Sequence, residues 1–487
     1  MTTESPELRF RFAPRESRGL LLGLRPRQLV LLAVAGIAVV AGATMGAAGL
    51  VAGALLACVL AFACFVPVGG RSAEEWAPIA LRWLWRGAAG RRWRGGPAAD
   101  ESDGITLPPP LDALTILAVT DTGRTVAVAA DRRRGTYTAV LAVRGRTFAL
   151  LEASDKVRRV SAWGAALASL AREGSPIARV QWTERTLPDD GSALRRWFTD
   201  HAPDPGTPAA QSYAELVDAA GPVTQIHETY FAVQLDARRA RRAIRQAGGG
   251  DTGAADVLLR ELRTLEGRLR AADLDITGWL PPRALGRLLR TAYEPGSRTA
   301  LARRDGDGDR AGCDPKAAGP MAADTNWSTY RTDDAYHATF WIAEWPRMDV
   351  DADFLTPLLL HTTVSRTVSV VMEPVSPRKA AREVQAARTA ELADEALREK
   401  AGQIATARRS QEHQALLDRE RELVTGHGDY RFTGYLTVTA ATRDELENAC
   451  GEVEQAAHQS LLEIRRLHGE QDTAFAAAAL PLCWSGR

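Results

Sequence analysis

This 487-residue sequence is poor in lysine and lacks the common catalytic signatures. Only four of its 61 basic residues are lysines, and none of the four follows a glycine. The phosphate-cradling P-loop, G-x-x-x-x-G-K-[ST], is therefore absent. The sequence also contains no G-x-S-x-G, no H-E-x-x-H and no G-x-G-x-x-G that opens a helix. We therefore predict a protein that is not an enzyme and that binds no cofactor.

Paired cysteines and metal-ligand spacings are missing as well. There is no C-x-x-C pair, and isolated thiols are typical of a reducing compartment. An EF-hand loop that begins at Asp305 would need glycine at position 310 and glutamate at 316, but the sequence has Arg310 and Lys316. We predict neither a disulfide framework nor a metal site. The five cysteines are Cys58, Cys64, Cys313, Cys450 and Cys483.

Arginine supplies nearly all of the positive charge, while the net charge is only +1. This bias indicates a GC-rich genome, such as an actinobacterial one, so abundant arginine is weak evidence for nucleic-acid binding. On one interpretation the most basic cluster after the apolar stretch contacts phosphates of lipid or nucleic acid. On the other, more frequent interpretation it is a solvated helix face. The cluster consists of Arg238, Arg239, Arg241 and Arg242.

Forty residues from Leu29 to Val68 carry no charged side chain. One helix needs about 20 apolar residues to cross a hydrocarbon core of about 30 Å, so this stretch predicts two crossings. Small residues at Met45–Gly49 would make the reversal, and glycines would let the helices approach closely. A secretory signal peptide competes, but its apolar region spans only about 7–15 residues. The sequence therefore predicts a transmembrane helical hairpin.

Arginines flank this stretch on both sides. The positive-inside rule places both flanks in the cytoplasm, and two crossings agree with that. We expect a multi-pass protein of the inner (cytoplasmic) membrane, with both termini cytoplasmic and membrane lipid among its partners.

The segment Glu74–Arg94 predicts a helix at the membrane interface. Its tryptophans would lie at the headgroup level, and the arginines between them would meet anionic lipid. The alternative is a soluble amphipathic helix that packs on the following domain. The predicted membrane-interface residues, which include two arginines before the hairpin, are Arg25, Arg27, Arg71, Trp76, Trp83, Trp85 and Trp93.

Strand patterns dominate the remainder of the chain. Alternating stretches at 115–119, 126–129 and 136–143 are separated by turn signals at Asp121–Gly123 and Arg134–Gly135. Further on, strands before and after a highly charged stretch from about 378 to 424 indicate a helical hairpin or projecting arm inserted into a sheet domain.

The predicted fold class is α+β. It comprises an N-terminal two-helix transmembrane hairpin and cytoplasmic α+β domains on antiparallel sheets, the last ferredoxin-like with a long charged helical insertion. The predicted divisions are a basic N-terminus (1–27), the hairpin (28–68), an interfacial Trp/Arg helix (69–95), a small α+β domain (105–220) and a second α+β domain (221–487) with an arm at about 378–424.

Two stretches resemble parts of the type IV secretion and conjugation apparatus. The Arg25–Leu29 entry, the two-helix stretch and the Trp/Arg-rich exit resemble the PrgI family of membrane subunits. The stretch Phe340–Pro346, the layout of 363–440, and Gln471–Phe475 with Leu480–Leu482 resemble the N-terminal, non-ATPase region of VirB-type conjugation ATPases. The combination resembles an actinobacterial family in which a membrane subunit and a docking domain are fused and the motor is missing.

The resemblance implies a non-catalytic, membrane-anchored scaffold. It would recruit a separate P-loop ATPase to a conjugation or type IV secretion-like translocation complex, and a homo-oligomer is among the expected assemblies. The alternative is a membrane-tethered nucleic-acid-binding adaptor that acts through Arg238–Arg242. An enzyme with a site assembled from distant residues is the weakest interpretation.

Overall fold

A computed structural model describes residues 10–12, 26–65, 71, 73–87, 89–95, 107–144, 151–189, 191–201, 206–220, 225–272, 274–304, 308, 311–360, 363–400 and 407–484. Arg25 and most of the Asp305–Asp309 loop lie outside the described residues, so the predictions made for them stay predictions.

The first two helices form a close pair. Helix α1 (Pro26–Thr44) and helix α2 (Ala47–Phe65) are separated by a turn in which Gly46 has a φ of +91°. A Cβ atom on Gly42 would lie 2.3 Å from the carbonyl oxygen of Gly49, which is too close for any side chain. The expected reversal and the glycine-mediated approach are therefore both present.

No helix in the described ranges combines the length and the apolarity that a membrane crossing requires. The predictions of a transmembrane hairpin and of a multi-pass inner-membrane protein with both termini in the cytoplasm are therefore wrong. The turn divides the uncharged stretch into two helices of 19 residues. Each rises about 28 Å at about 1.5 Å per residue, against a hydrocarbon core of about 30 Å.

Helix α3 (Ala73–Arg86) and the short strand β1 (Arg92–Arg94) follow the pair. The next elements form a first unit: β2 (Leu114–Asp121), β3 (Arg124–Asp131), β4 (Thr136–Arg144), α4 (Ala153–Ala168), β5 (Ile177–Pro188), α5 (Ser192–His201), α6 (Pro208–Ala220), β6 (Gln225–Asp236), α7 (Arg241–Gln246), α8 (Gly250–Ala271), β7 (Asp275–Trp279), α9 (Pro282–Tyr293) and α10 (Ser297–Ala302).

A second unit repeats the order of the strands with fewer helices and with different helix lengths. Its elements are β8 (Ala322–Thr325), β9 (Tyr330–Thr332), β10 (Ala335–Glu344), α11 (Thr356–Leu360), β11 (Arg366–Val375), α12 (Pro377–Lys400), α13 (Ala407–Val424), β12 (Asp429–Ala440), α14 (Arg443–Gln459), β13 (Glu463–Arg466) and α15 (Gln471–Ala478).

The described strands form one antiparallel sheet of 13 strands, so the α+β class is confirmed. Within the first unit the neighbours run β7, β4, β6, β5, and within the second they run β13, β10, β12, β11. Both are the order 4-1-3-2 of a ferredoxin-like β-α-β-β-α-β unit. Pairing of β5 with β11 joins the two units edge to edge. The predicted division at residue 220 thus falls inside the first unit, because β6 pairs with β4 and β5.

Alternation along the strands explains why helices lie on both faces of the sheet. In β3, Val126 and Val128 face the cluster built by α8, while Ala127 and Ala129 face the cluster that contains residues of α9 and α15. On the first of these faces α14 covers the second unit in the same way as α8 covers the first.

The charged stretch forms two helices between β11 and β12. In the described part of these helices, Val384, Ala387 and Leu416 form a small buried apolar cluster between α12 and α13, with the partly buried Leu423 packed against it. An ion pair of 2.9 Å between Arg388 and Glu420 also links the two helices. The structure therefore has a helical hairpin at the position of the predicted arm, and we refer to α12 and α13 as the arm.

One buried glutamine fastens the carboxyl-terminal segment across the join of the two units. Gln181 of β5 is fully buried, and its Nε2 donates to Ser369 Oγ at 2.7 Å and to the carbonyl oxygens of Ala477 and Leu480 at 3.1 Å. Its Oε1 accepts from the Cys483 amide at 2.7 Å. The side chain of Gln181 therefore links β5 to β11 and hydrogen-bonds both strands to the segment 477–483 that lies over them.

Replacement of Gln181 by leucine should remove its bonds to the Cys483 amide and to the Ala477 carbonyl oxygen, while the Leu480 carbonyl oxygen keeps a bond from the Leu482 amide. Each buried group without a hydrogen bond costs about 1–3 kcal/mol, so we expect the free energy of unfolding to fall by roughly 3 kcal/mol or more. The measurement is chemical denaturation. The matched control is Gln211→Leu, at an exposed glutamine of α6, which should change stability by less than about 0.5 kcal/mol. Equal effects of the two substitutions would contradict this role of Gln181.

Candidate functional site

The chain that enters the helix pair packs against the second unit. The Phe10 amide donates to the Val350 carbonyl oxygen at 2.8 Å, and the Val350 amide returns a bond of 3.0 Å. The Phe12 ring stacks on Trp345 with 5.1 Å between the ring centroids and also contacts Phe354. Residues 10–12 are therefore held near the end of β10.

The chain that leaves the helix pair is held by aromatic contacts with the same unit. Trp76 of α3 stacks on Trp327 with 5.9 Å between centroids, and Trp83 meets the same ring edge-on at 5.4 Å. The His468 ring also stacks with Trp327, and its centroid lies 6.3 Å from those of both Trp327 and Trp76. We refer to Trp327 and residues 468–472 as the hairpin seat.

The His468 ring acts as an aromatic surface here. Burial lowers its pKa below the ordinary value of 6.5, and the positive charges of Arg466 and Arg71 lower it further. The ring is therefore neutral at pH 7, and it can stack without adding a charge to a region that already contains several arginines.

Gly469 is required by the close approach of α3. Its φ is +75°, in the left-handed region that L side chains rarely adopt. A Cβ atom at this position would lie 2.7 Å from the Trp327 ring and 2.8 Å from Ile79 of α3. The seat can therefore contact α3 only with glycine at this position.

Three arginines on the exit side meet two carboxylates of the seat. Arg86 lies 2.7 Å from Asp472, and Arg82 and Arg71 lie 3.6 and 3.8 Å from Glu470. The Asp472 side chain is only 4% exposed, so its ion pair is screened less by salt than a surface pair. A buried carboxylate that lost its partner would be strongly destabilising, which favours one docked position of α3.

Strand β1 continues this attachment at the edge of the sheet. It pairs antiparallel with β8, with Trp93 opposite Ala323. Between α3 and β1 the Arg91 guanidinium lies over the Trp83 ring, 4.4 Å from its centroid. From Arg71 to β1 the described chain is therefore joined to the second unit by aromatic, ionic and backbone contacts.

Most of the predicted membrane-interface residues lie in this attachment. The described ones that contact the second unit are Arg71, Trp76, Trp83 and Trp93. Trp85 is 81% exposed. Arg25 and the side chain of Arg27 lie outside the described residues. Helix α3 therefore packs on the second unit, and contact of the predicted residues with a membrane interface stays a prediction.

The arginine cluster lies elsewhere, at the turn between β6 and α7. Arg238, Arg239, Arg241 and Arg242 are all exposed. The Arg239 Nη1 atom donates to the Ile177 carbonyl oxygen at 3.2 Å, which directs this arginine towards the start of β5. Contact of the cluster with phosphates stays a prediction.

One polar cluster has the residue types of a nucleophilic site but not the geometry. His227 Nδ1 lies 3.1 Å from Glu184 Oε1 and 3.3 Å from Thr186 Oγ1. In a catalytic triad the carboxylate and the hydroxyl bind opposite ring nitrogens, so that the ring can relay a proton. Here both contacts fall on the same nitrogen, and the cluster therefore links β5 to β6 as a structural network.

The helix α3 could be predicted from the sequence, but the residues of the hairpin seat on which it packs could not. Trp327 precedes β9, and Glu470 and Asp472 begin α15, so more than 140 residues separate the two parts of the seat. No periodicity connects them. The one local signal was the pairing of an acidic stretch, 470–472, with an excess of arginine in α3.

Residues 223–342 match one family model. Its description is "Putative type VII ESX secretion system translocon, EccE". The matched segment runs from the beginning of β6 through most of β10, so it joins the two units and includes Trp327. No curated protein matches the chain.

The match confirms that the chain is similar to a component of a secretion system. The expectation of a type IV or conjugation system, based on the PrgI and VirB resemblances, is wrong, because the match is to a type VII component. Both earlier resemblances relied on an apolar helix pair and a ferredoxin-like layout, which are features of architecture that unrelated proteins share.

Replacement of Trp327 by alanine should loosen α3 from the seat. Each aromatic pair is worth about 0.5–1.5 kcal/mol beyond its buried area, and Trp327 contacts both Trp76 and Trp83. We expect amide hydrogens of α3 to exchange about tenfold faster or more, while those of β5 and β6 change little.

The matched control for this substitution is Trp197→Ala. Trp197 of α5 is 54% exposed and stacks on His201 of the same helix. Its loss should leave exchange in α3 unchanged. Unaltered protection of α3 in the Trp327 variant would show that the seat does not hold the helix.

Proposed function

We propose that the chain is a non-catalytic scaffold of a type VII secretion translocon. The scaffold presents the helix pair α1–α2 at a defined position on a two-unit α+β body. The observation that carries the proposal is the double attachment of the helix pair, before α1 at β10 and after α2 at the hairpin seat. The EccE match supports the assignment to a secretion complex.

The helix pair would be the contact with other components of the complex. Val34, Ile37 and Val40 of α1 and Leu55 and Phe62 of α2 are each between 47% and 67% exposed. Contiguous apolar surface of this kind marks an interaction site. We propose that these faces pack against apolar helices of other translocon subunits. Homo-oligomerisation stays a prediction.

The arm would recruit a separate P-loop ATPase. Its own apolar cluster is small, and residues 390–413, which lie beyond that cluster in the sequence, are rich in acidic and basic residues. Charge complementarity on such a surface raises association rates and selects partners more than it adds affinity. The arm is held at its base, where Arg431 of β12 lies 2.6 Å from Glu383 of α12.

Shortening of the arm should abolish recruitment. In the variant, residues 390–413 are replaced by a short glycine-serine linker, which leaves Val384, Ala387 and Leu416 in place. We expect the tagged full chain to co-purify a P-loop ATPase from its own cells and the shortened chain to lose it. The measurement is mass spectrometry of the co-purified proteins.

The matched control is the counterpart insertion of the first unit, α5–α6, which lies between β5 and β6 as the arm lies between β11 and β12. A chain in which residues 192–220 are replaced by the same linker should retain the ATPase. Retention by both variants, or absence of any P-loop ATPase with the unaltered chain, would refute the recruitment proposal.

A further inference from the structure

A cleft of about 260 Å³ opens where the two units and the arm meet. Three segments line it. These are the turn between α4 and β5 at residues 170–177, Arg239 from the turn after β6, and the junction of β11 with α12 at residues 374–379. The cleft therefore contains Arg239, which belongs to the basic cluster noted in the sequence analysis. The proposed scaffold function assigns no role to this arginine.

The charged side chains that line the cleft are three cations and one carboxylate. The cations are Arg172, Arg239 and Lys379, and the carboxylate is Glu173. Arg172 is neutralised by a bidentate contact with Glu261 at 2.7 and 2.9 Å.

The other two cations are less neutralised. Arg239 lies 4.0 Å from Asp236, the outer limit of an ion pair. Lys379 is exposed and makes no ion pair with another residue in the described part of the chain. Both therefore have donors available for an anion.

The backbone reinforces this positive potential. The 24-residue helix α12 begins at the cleft with Pro377, and its first turn contains no acidic residue. The positive end of the helix dipole is therefore not compensated by its own side chains. The hydroxyl groups of Ser175 and Ser376, which also line the cleft, add neutral hydrogen-bonding groups.

We infer that this cleft binds a phosphate-class anion. The volume of the cleft is smaller than that of typical small-molecule pockets, which is about 300–1,000 Å³. A phosphate or diphosphate group therefore fits better than a nucleotide base with its sugar. Arg239 and Lys379 would supply charge-assisted hydrogen bonds from two sides, one from each unit. An occupied cleft would link the first unit to the base of the arm.

The test is calorimetric titration of inorganic pyrophosphate into the full chain and into the double variant Arg239→Gln, Lys379→Gln. Loss of both charge-assisted contacts should raise the Kd about tenfold or more. The matched control is Arg241→Gln, Arg242→Gln, which removes two exposed charges of the same cluster that do not line the cleft. The control should bind within about twofold of the unsubstituted chain. Thermal unfolding of each variant verifies that all of them fold.

Three results would overturn the inference. One is the absence of pyrophosphate binding by the folded, unsubstituted chain. The other is an equal loss of affinity in both double variants, which would indicate a diffuse basic surface. Binding of single-stranded DNA that weakens in the Arg241, Arg242 variant, without saturable pyrophosphate binding, would likewise replace the cleft by a nucleic-acid surface.

Discussion

The antiparallel pairing of β5 with β11 is the constraint on which the rest of the structure depends. Seven residue pairs, from Arg366 opposite Thr186 to Met372 opposite Val180, turn two ferredoxin-like units into one sheet. Because the two central strands are antiparallel, the α5–α6 insertion and the arm leave the sheet at opposite ends. Gln181 sits within this pairing and fastens the carboxyl-terminal segment over it. A break in the pairing would separate the arm from the first unit and open the cleft between them.

The second unit has the further task of holding the helix pair. The attachment is composite: an aromatic stack on Trp327, a tight glycine at 469, and a buried carboxylate, Asp472, that needs Arg86. The exposed Arg82 contributes little through its ion pair, whereas the aromatic stack and the buried Asp472–Arg86 pair hold α3 and fix its position. The described chain is attached to the second unit both before the pair, at residues 10–12, and after it, from Arg71 to β1.

Part of this architecture could be predicted from local patterns. The turns at Asp121–Gly123 and Arg134–Gly135, the strands around them and the charged arm carry signals within a few residues. The helical pair and its turn at Met45–Gly49 could also be predicted, but the transmembrane assignment was wrong, since no helix in the described residues combines the length and apolarity of a membrane span. The edge-to-edge joining of the two units and the hairpin seat could not be predicted. Both depend on contacts between residues far apart in the sequence: β5 pairs with β11 across about 185 residues, and α3 contacts Trp327 and Asp472. Such contacts produce no periodic pattern in the sequence.

The central claim is that the body holds the helix pair in one fixed position. Spin labels on cysteines introduced at the exposed positions Met45, in the turn of the pair, and Met348, after β10, allow the distance between them to be measured by pulsed electron paramagnetic resonance. The chain used for this carries serine in place of both Cys58 and Cys64. The account predicts a single narrow distance distribution that broadens when Gly469→Val disrupts the seat. A broad distribution in the chain with an intact seat, or the same narrow distribution in both, would contradict it.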